Sequence, residues 1–339
     1  MGKLLKGEYI IISLIRLYKK DCMRFAVLTS GGDAPGMNAA IRSVVRTVIA
    51  HNDTVYGVYE GYKGLVEGNF KEFNRSAVSE ILSKGGTMLG TARLPEFTEI
   101  DVQLKALEQL KKHEIDTLIC IGGDGTFRGA QALSRLGFKT IGIPATIDND
   151  VASTDFTIGF STALNTACDA IDKLRDTSSS HQRCSIIEVM GRDCGDLALY
   201  SGICCGAEYV FTNDTGLDKE FLLEDLKKSK ETGRKHAIIV ISEKMTNVHK
   251  LAKEIEEFTS YECRAQVLGY IQRGGSPTPE DRMLAARMGK YAVDIARSGV
   301  SGVTIGVDDH RLFITPFEEA LSKKKVTDPT LLRLIKRIK

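Results

Sequence analysis

The feature that most constrains this chain is its rhythm. Short apolar runs alternate with longer amphipathic stretches, and glycine and aspartate crowd several of the changeovers. Residues 24–29, 54–59, 117–121 and 140–143 are brief and aliphatic, as expected of strands buried on both faces, and 185–190, 209–212 and 237–242 repeat the pattern. Between and after them, 36–51, the stretch from 126 towards 136, 161–175 and 280–296 are predicted helices. The third of these carries Ala163, Ala167 and Ala170 at helical spacing. Such alternation predicts an α/β fold in which helices cover both faces of mainly parallel sheets, with ligands beyond the carboxyl ends of the strands.

With 339 residues and 42% hydrophobic content the chain can bury a sizeable core, and its length suggests two domains. No Pro- or Ser-rich linker, low-complexity tract or short repeat divides it. Lysine plus arginine exceeds aspartate plus glutamate by 46 − 44 = 2, so no field over the whole surface attracts nucleic acid, and any anion site must be a local cluster of basic residues. In residues 1–22 an apolar run over 9–15 is followed by Arg16, Lys19 and Lys20. The run is far short of the ~20 residues that cross a bilayer, and no small-residue cleavage site follows it. Either this segment is an upstream extension or Met23, where the α/β pattern begins, is the start; we expect no role for it in function. The expectation is a soluble, cytoplasmic protein without a membrane anchor. The eight cysteines (22, 120, 168, 184, 194, 204, 205 and 263) form no C-x-x-C pair, and we read them as small buried hydrophobes in a reducing compartment.

Three loops at predicted strand ends carry the chemistry. The first runs Ser30-Gly31-Gly32-Asp33-Ala34-Pro35-Gly36-Met37-Asn38 into a helix. Glycines let backbone N–H groups approach a ligand, and a helix N-terminus favours an anion, although the same loop would serve as a plain tight turn. It is neither a Walker A loop nor a dinucleotide fingerprint. The second, Gly122-Gly123-Asp124-Gly125-Thr126, exposes a carboxylate between glycines, which suits Mg²⁺ shared with phosphate oxygens; a helix cap would not need the glycines. The third, Thr146-Ile147-Asp148-Asn149-Asp150, sets two carboxylates two residues apart, so one can face a metal while the other accepts a proton; alone, it also reads as an Asx-rich turn. A polar stretch over 175–183 reads as a solvated loop. Arginines near strand ends (Arg192, Arg264, Arg273) suit planar recognition of phosphate, although each singly reads as a surface charge.

Together the strings TSGGDAPGMNAAIR, GGDGT, TIDND, IDKLRDTSSSHQR, EVMGR and IQRGGSP, in this order over about residues 23–302, closely resemble the bacterial ATP-dependent 6-phosphofructokinases. GGDGT alone is also found in NAD and diacylglycerol kinases; the arginine set is not. The resemblance implies the phosphofructokinase fold: two similar three-layer domains, 23–158 plus 271–321 binding ATP and 159–270 plus 322–339 binding sugar phosphate, behind an N-terminal extension at 1–22. It also implies transfer of the ATP γ-phosphoryl group to the 1-hydroxyl of fructose 6-phosphate. Asp148 would be the base, Asp124 the Mg²⁺ ligand with Asp150 nearby, and Gly32 and Arg93 the contacts to the transferring group, with Thr146 and Arg192 beside the reacting atoms. Tyr62, Leu94, Gly123, Gly125 and Thr126 would line the nucleotide. Thr146, Asp148, Asp150, Met190, Gly191, Arg192, Glu243, Tyr270 and Arg273 would hold the sugar phosphate, and Arg183 and Arg264 would reach in from a neighbouring subunit of a homotetramer. An anion effector, ADP or phosphoenolpyruvate, would bind Arg42, Arg46, Arg75, Glu80, Arg175, Gly206, Glu208, Arg234, Lys235 and His236. By spacing alone, Arg42 and Arg46 read as a solvated basic face.

This chain departs from the family at several places, with Thr91 for a serine and Ala145 for a glycine among the slighter ones. Tyr270 replaces a histidine expected to touch the sugar 6-phosphate, Thr232 replaces a lysine of the effector site, and Glu80 replaces an aspartate. Gly125, together with Ala145 before the third loop, points to ATP; the pyrophosphate-dependent relatives carry aspartate and lysine there. A nucleotide-binding subunit without turnover is the non-enzyme alternative, opposed by the joint presence of Asp124, Asp148, Asp150 and Arg93.

Overall fold

The computed structural model describes residues 22–338; the segment 1–21 lies outside them, and with it nearly all of the proposed extension. The first part of the chain runs β1 (Arg24–Thr29), α1 (Met37–Ala50), β2 (Thr54–Val58), α2 (Gly61–Glu67), β3 (Phe70–Glu72), α3 (Ile100–Lys112), β4 (Thr117–Gly122), α4 (Asp124–Arg135) and β5 (Thr140–Pro144). The middle runs α5 (Phe160–His181), β6 (Cys184–Val189), α6 (Asp196–Cys204), β7 (Tyr209–Phe211), α7 (Lys219–Glu231), β8 (Ala237–Ser242), α8 (Val248–Thr259) and β9 (Cys263–Val267). The chain then returns through α9 (Pro279–Arg297), β10 (Val303–Asp308), β11 (Arg311–Pro316), α10 (Phe317–Ser322) and α11 (Pro329–Ile338).

Two sheets result. The larger has the order β11-β10-β5-β4-β1-β2-β3 and is parallel except at its edges, where β11 and β3 pair antiparallel. The smaller, β7-β8-β6-β9, is parallel throughout. The central strands β4, β5 and β8 are buried at every residue, which is why they read as unbroken apolar runs, whereas β11 and β9 lie at edges and are largely exposed. Parallel pairing aligns the carboxyl ends of β1, β4 and β5 on one rim and those of β6, β8 and β9 on another. The chain crosses between the sheets after β5 into α5 and comes back through α9, which packs along α1.

One expectation fails here. The stretch from Arg175 to Arg183 is helical to His181, as α5 continues to a left-handed Gln182. Its serines defeated the loop reading because their hydroxyls bond within the helix: Ser178 Oγ donates to Leu174 O at 2.7 Å and Ser180 Oγ to Asp176 O at 2.9 Å.

The crossing points are tied by Asp281. Thr278 caps α9, with Pro279 at its first position, and Asp281 lies in that first turn, where it is buried. Its carboxylate accepts the backbone N–H groups of Gly159 and Thr162, both at 2.8 Å, and the Thr162 hydroxyl at 2.5 Å. A side chain from α9 therefore caps the N-terminus of α5 and joins the outgoing and returning segments. We predict that Asp281→Ala lowers unfolding stability by roughly 2–4 kcal/mol, the cost of orphaning buried donors together with a lost cap. A urea midpoint shift well under that range would contradict this role.

Candidate active site

The two rims face each other across a cavity of about 790 Å³. The large sheet contributes the loops after β1, β4 and β5; the small sheet contributes Met190 and Arg192 after β6, Glu243 after β8, and Tyr270 and Arg273 after β9. Thus all three chemistry-bearing loops named from the sequence converge on one site.

Each loop is held by contacts that leave its functional atoms free. A Cβ on Gly122 would stand 2.4 Å from Ser30 O and 2.3 Å from Thr126 Oγ1, so only glycine lets the first two loops touch; Thr126 Oγ1 donates to Ser30 O at 2.9 Å. Thr91 Oγ1 donates to Gly31 O at 2.7 Å. Nothing lies within 4 Å of where a Cβ on Gly125 would stand, so this loop opens onto free space. In the third loop Asn149 is fully buried with φ of 52°. Its amide nitrogen donates to Asp155 O at 2.9 Å and to the Asp196 carboxylate at 2.7 Å, while its oxygen accepts from Thr157 N at 2.9 Å. That clamp turns Asp148 and Asp150 towards the cavity. Across from them Gly191 has φ of 139° and a Cβ there would meet Cys194 O at 2.5 Å, making the tight turn that presents Arg192. The Arg192 N–H donates to Glu243 Oε1 at 2.7 Å, and its guanidinium lies 3.5 Å from Asp150 Oδ2.

The electrostatics separate the carboxylates. Burial, then the charges of Asp150 and Glu243, push Asp148 up to about 6, against the pull of Arg273 and Arg192. Its Oδ1 is buried and has no protein partner. Asp124 is raised by burial and by Asp150, while Asp150 is raised by burial but countered by Arg192. Arg273 reaches back to the first loop, its guanidinium carbon 3.6 Å from where a Cβ on Gly32 would stand, and lies 4.8 Å from the centre of the Tyr270 ring. Tyr270 itself is 76% exposed. Arg93 lines the same cavity.

Other expected site residues lie elsewhere. Tyr62 is buried, stacked on Phe97 at 4.3 Å, and its hydroxyl donates to Thr126 O at 2.6 Å, so it supports the second loop from beneath. Leu94 packs against the core beside it. Arg183 and Arg264 sit at the amino ends of β6 and β9, the far ends from the cavity, and pair with Glu262 and with Glu256 and Glu262. They cannot reach this chain's own cavity along a strand of ~3.3 Å per residue. Arg175, Gly206, Glu208 and Arg234 are brought together: Arg175 donates to Cys205 O at 2.7 Å and to Gly206 O at 2.8 Å, and Glu208 lies 3.7 Å from Arg175 and 3.9 Å from Arg234. Arg42 and Arg46 lie apart from that group, on α1 of the large sheet, and Arg75 follows β3.

The sequence reading passed over Asn149, Thr91 and Gln272. Gln272 is fully buried, its Oε1 accepting from Met190 N at 3.3 Å. An amide between two aspartates was the available signal for Asn149; nothing local marks the other two.

Fold and site together define a phosphoryl-transfer enzyme of the α/β class, in which glycine loops oppose carboxylates and arginines. The comparisons agree. Residues 24–296 match the family described as phosphofructokinase. A Vibrio campbellii protein named ATP-dependent 6-phosphofructokinase is 54% identical over 302 residues, covering 89% of this chain and 94% of the relative. One from Aliivibrio fischeri with the same name is 56% identical over 289 residues, 85% of this chain and 90% of its own. The Saccharomyces cerevisiae phosphofructokinase structure superposes with a TM-score of 0.82 at 32% identity, over 93% of this chain and 46% of that longer one; this chain thus spans under half of the yeast chain. A pyrophosphate-dependent phosphofructokinase from Marinobacter aquaeolei shares the fold, with a TM-score of 0.80 at 21% identity over 90% of this chain and 86% of that one. The chain belongs to the phosphofructokinase family. Among the described residues no helix is long and apolar enough to cross a membrane.

Because Asp148 in the folded chain holds its proton above the ~3.9 of an unfolded aspartate, its contribution to stability is present below about pH 4 and is lost as pH rises through 6. We therefore predict that Asp148→Asn is more stable than the parent at pH 8, by up to about 3 kcal/mol, and near parity at pH 4. Urea midpoints at the two pH values test this; equal differences would mean that the carboxylate is not strained.

Proposed function

We propose that this chain transfers the γ-phosphoryl group of ATP to the 1-hydroxyl of fructose 6-phosphate, giving fructose 1,6-bisphosphate and ADP. The carrying observation is Asp148, a carboxylate whose Oδ1 has no protein partner and which stands between the glycine loops and the small-sheet arginines. The names of the relatives support the same activity. The sugar phosphate is held by Arg192 and Arg273 with Glu243, Met190 and Thr146, and Asp148 takes the proton of the attacking hydroxyl. Gly32 and Arg93 meet the transferring phosphoryl group, whose charge in the transition state an arginine offsets. Gly123, Asp124, Gly125 and Thr126 follow the nucleotide.

Mg²⁺ fits this site. Asp124 and Asp150 are both half-buried carboxylates that desolvation holds above their ordinary range, Asp124 in part also by the charge of Asp150, and a hard divalent cation prefers such oxygen donors. Asp124 would be its ligand; when bound, the ion neutralises charge on the phosphate oxygens. The open space at Gly125 favours ATP over pyrophosphate as donor, since nothing fills the room a nucleotide needs. A coupled assay should give turnover with ATP and under about a hundredth of it with pyrophosphate, and kcat/KM should fall about tenfold per pH unit below about 6. Asp148→Ala should lose at least about a thousandfold in kcat while still binding fructose 6-phosphate; substantial residual turnover would mean that another group is the base.

Tyr270 donates a hydrogen bond to the sugar 6-phosphate but carries no charge. We predict that Tyr270→His lowers the KM for fructose 6-phosphate several-fold with kcat unchanged; an unchanged KM in saturation curves would sink this.

Arg183 and Arg264 complete the site from a second copy of the chain, in a homotetramer. The Arg175, Gly206, Glu208 and Arg234 group, joined by Arg42, Arg46, Arg75, Glu80, Lys235 and His236 across an interface, binds ADP or phosphoenolpyruvate. Thr232 supplies no cation there, so the response is blunted. Rate measured at low fructose 6-phosphate with and without ADP should change by less than about fivefold; a large response would contradict blunting.

A further inference from the structure

Three of the eight cysteines come together outside the active site. Cys168 lies on α5, Cys204 ends α6 and Cys205 caps it, and these two helices pack against each other. Cys205 Sγ lies 3.7 Å from Cys168 O, and the Cys168 thiol is within hydrogen-bonding reach of those of Cys205 and Cys204. The expectation of small buried hydrophobes therefore fails here: Cys204 is exposed, and Cys168 and Cys205 are half-buried. The fold holds a comparison pair, since Cys184 and Cys263 are direct partners across β6 and β9, but both are buried.

We propose that Cys168 and Cys205 are a thiol modification site that closes to a reversible disulfide between α5 and the end of α6. The Cys205 S–H, then that of Cys204, hold the Cys168 thiol below its ordinary range against burial and the nearby Asp172, while Cys205 is pushed up by the same contact. Cys168 is thus the attacking thiolate. With hydrogen peroxide as oxidant, its sulfur takes one oxygen, the O–O bond breaks, and the other oxygen leaves as hydroxide and is protonated to water. Cys205 then attacks the sulfenic sulfur, the S–O bond breaks, and a second water departs. Two thiols lose two electrons and the peroxide is reduced to water. Reduced dithiols in the cell reverse the step, as expected of a transient cytosolic disulfide beside a resolving cysteine.

The bridge would act on the neighbouring arginine. Arg175, two helical turns beyond Cys168 on α5, donates both to Cys205 O and to Gly206 O, so moving the Cys205 turn moves its guanidinium. This consequence rests on the anion site proposed above; the bridge itself does not.

The test uses the full chain in its native assembly, treated with hydrogen peroxide, quenched, denatured and titrated with a chromogenic disulfide. The parent should fall from eight thiols to six and Cys204→Ser from seven to five, both returning with dithiothreitol, whereas Cys168→Ser and Cys205→Ser should keep all seven. Peptide mapping of the parent, which needs no variant to fold, should find the Cys168 peptide joined to the one holding Cys205. Absence of that cross-link, or a Cys184–Cys263 link in its place, overturns the proposal, as does an undiminished loss in Cys205→Ser. Oxidation should also shift the ADP concentration for half-maximal response by about threefold or more in the parent and not in Cys168→Ser. A cross-link without that shift would retire the coupling to Arg175 and leave the thiol site standing.

Discussion

The site depends on the buried amide of Asn149. Asp148 and Asp150 repel each other and are both partly desolvated, so a free loop would let them separate. Asn149 prevents this by filling both its donor and acceptor roles with Asp155, Asp196 and Thr157, in a left-handed backbone that asparagine tolerates better than most residues. The strain of the two carboxylates is thereby carried by a network reaching into α6 and towards the start of α5. Asp281 continues the tie by joining the Gly159 and Thr162 amides to α9. The glycine- and aspartate-rich loops of one sheet and the arginines of the other are consequently fixed relative to each other through hydrogen bonds that lie behind the cavity.

The cavity is built so that carboxylates and arginines from the two sheets face each other. Arg192 leans on Asp150 and takes its backbone N–H to Glu243, which uses up those two acids. Asp148 keeps an unpartnered oxygen and a value near the working range. This division matches a reaction in which positioning and electrostatics supply most of the rate and one group must move a proton.

Much of this was legible beforehand. The apolar runs gave β1, β4, β5 and β8 to within a residue, because strands buried on both faces carry no alternation to confuse with a helix. The glycine and aspartate loops pointed to the cavity that they line together, because few folds need such residues at a strand end. Less legible was α5 beyond Arg175, whose serines bond to their own helix and imitate a loop. Tyr62 was legible as a neighbour of the nucleotide loop but not as a residue beneath it, since sequence carries no direction for a side chain.

Sequence alone determined the alternating architecture and the three glycine- and aspartate-rich loops at strand ends, which rest on local chemistry over a few residues. Tertiary structure decided what depends on contacts between distant segments. It aimed Arg183 and Arg264 away from their own cavity, raised Asp148 by burying it and bringing Glu243 near, and set Cys168 against Cys205 across 37 residues. None of these follows from spacing, because burial and the direction of a side chain arise only when two sheets and their helices pack together.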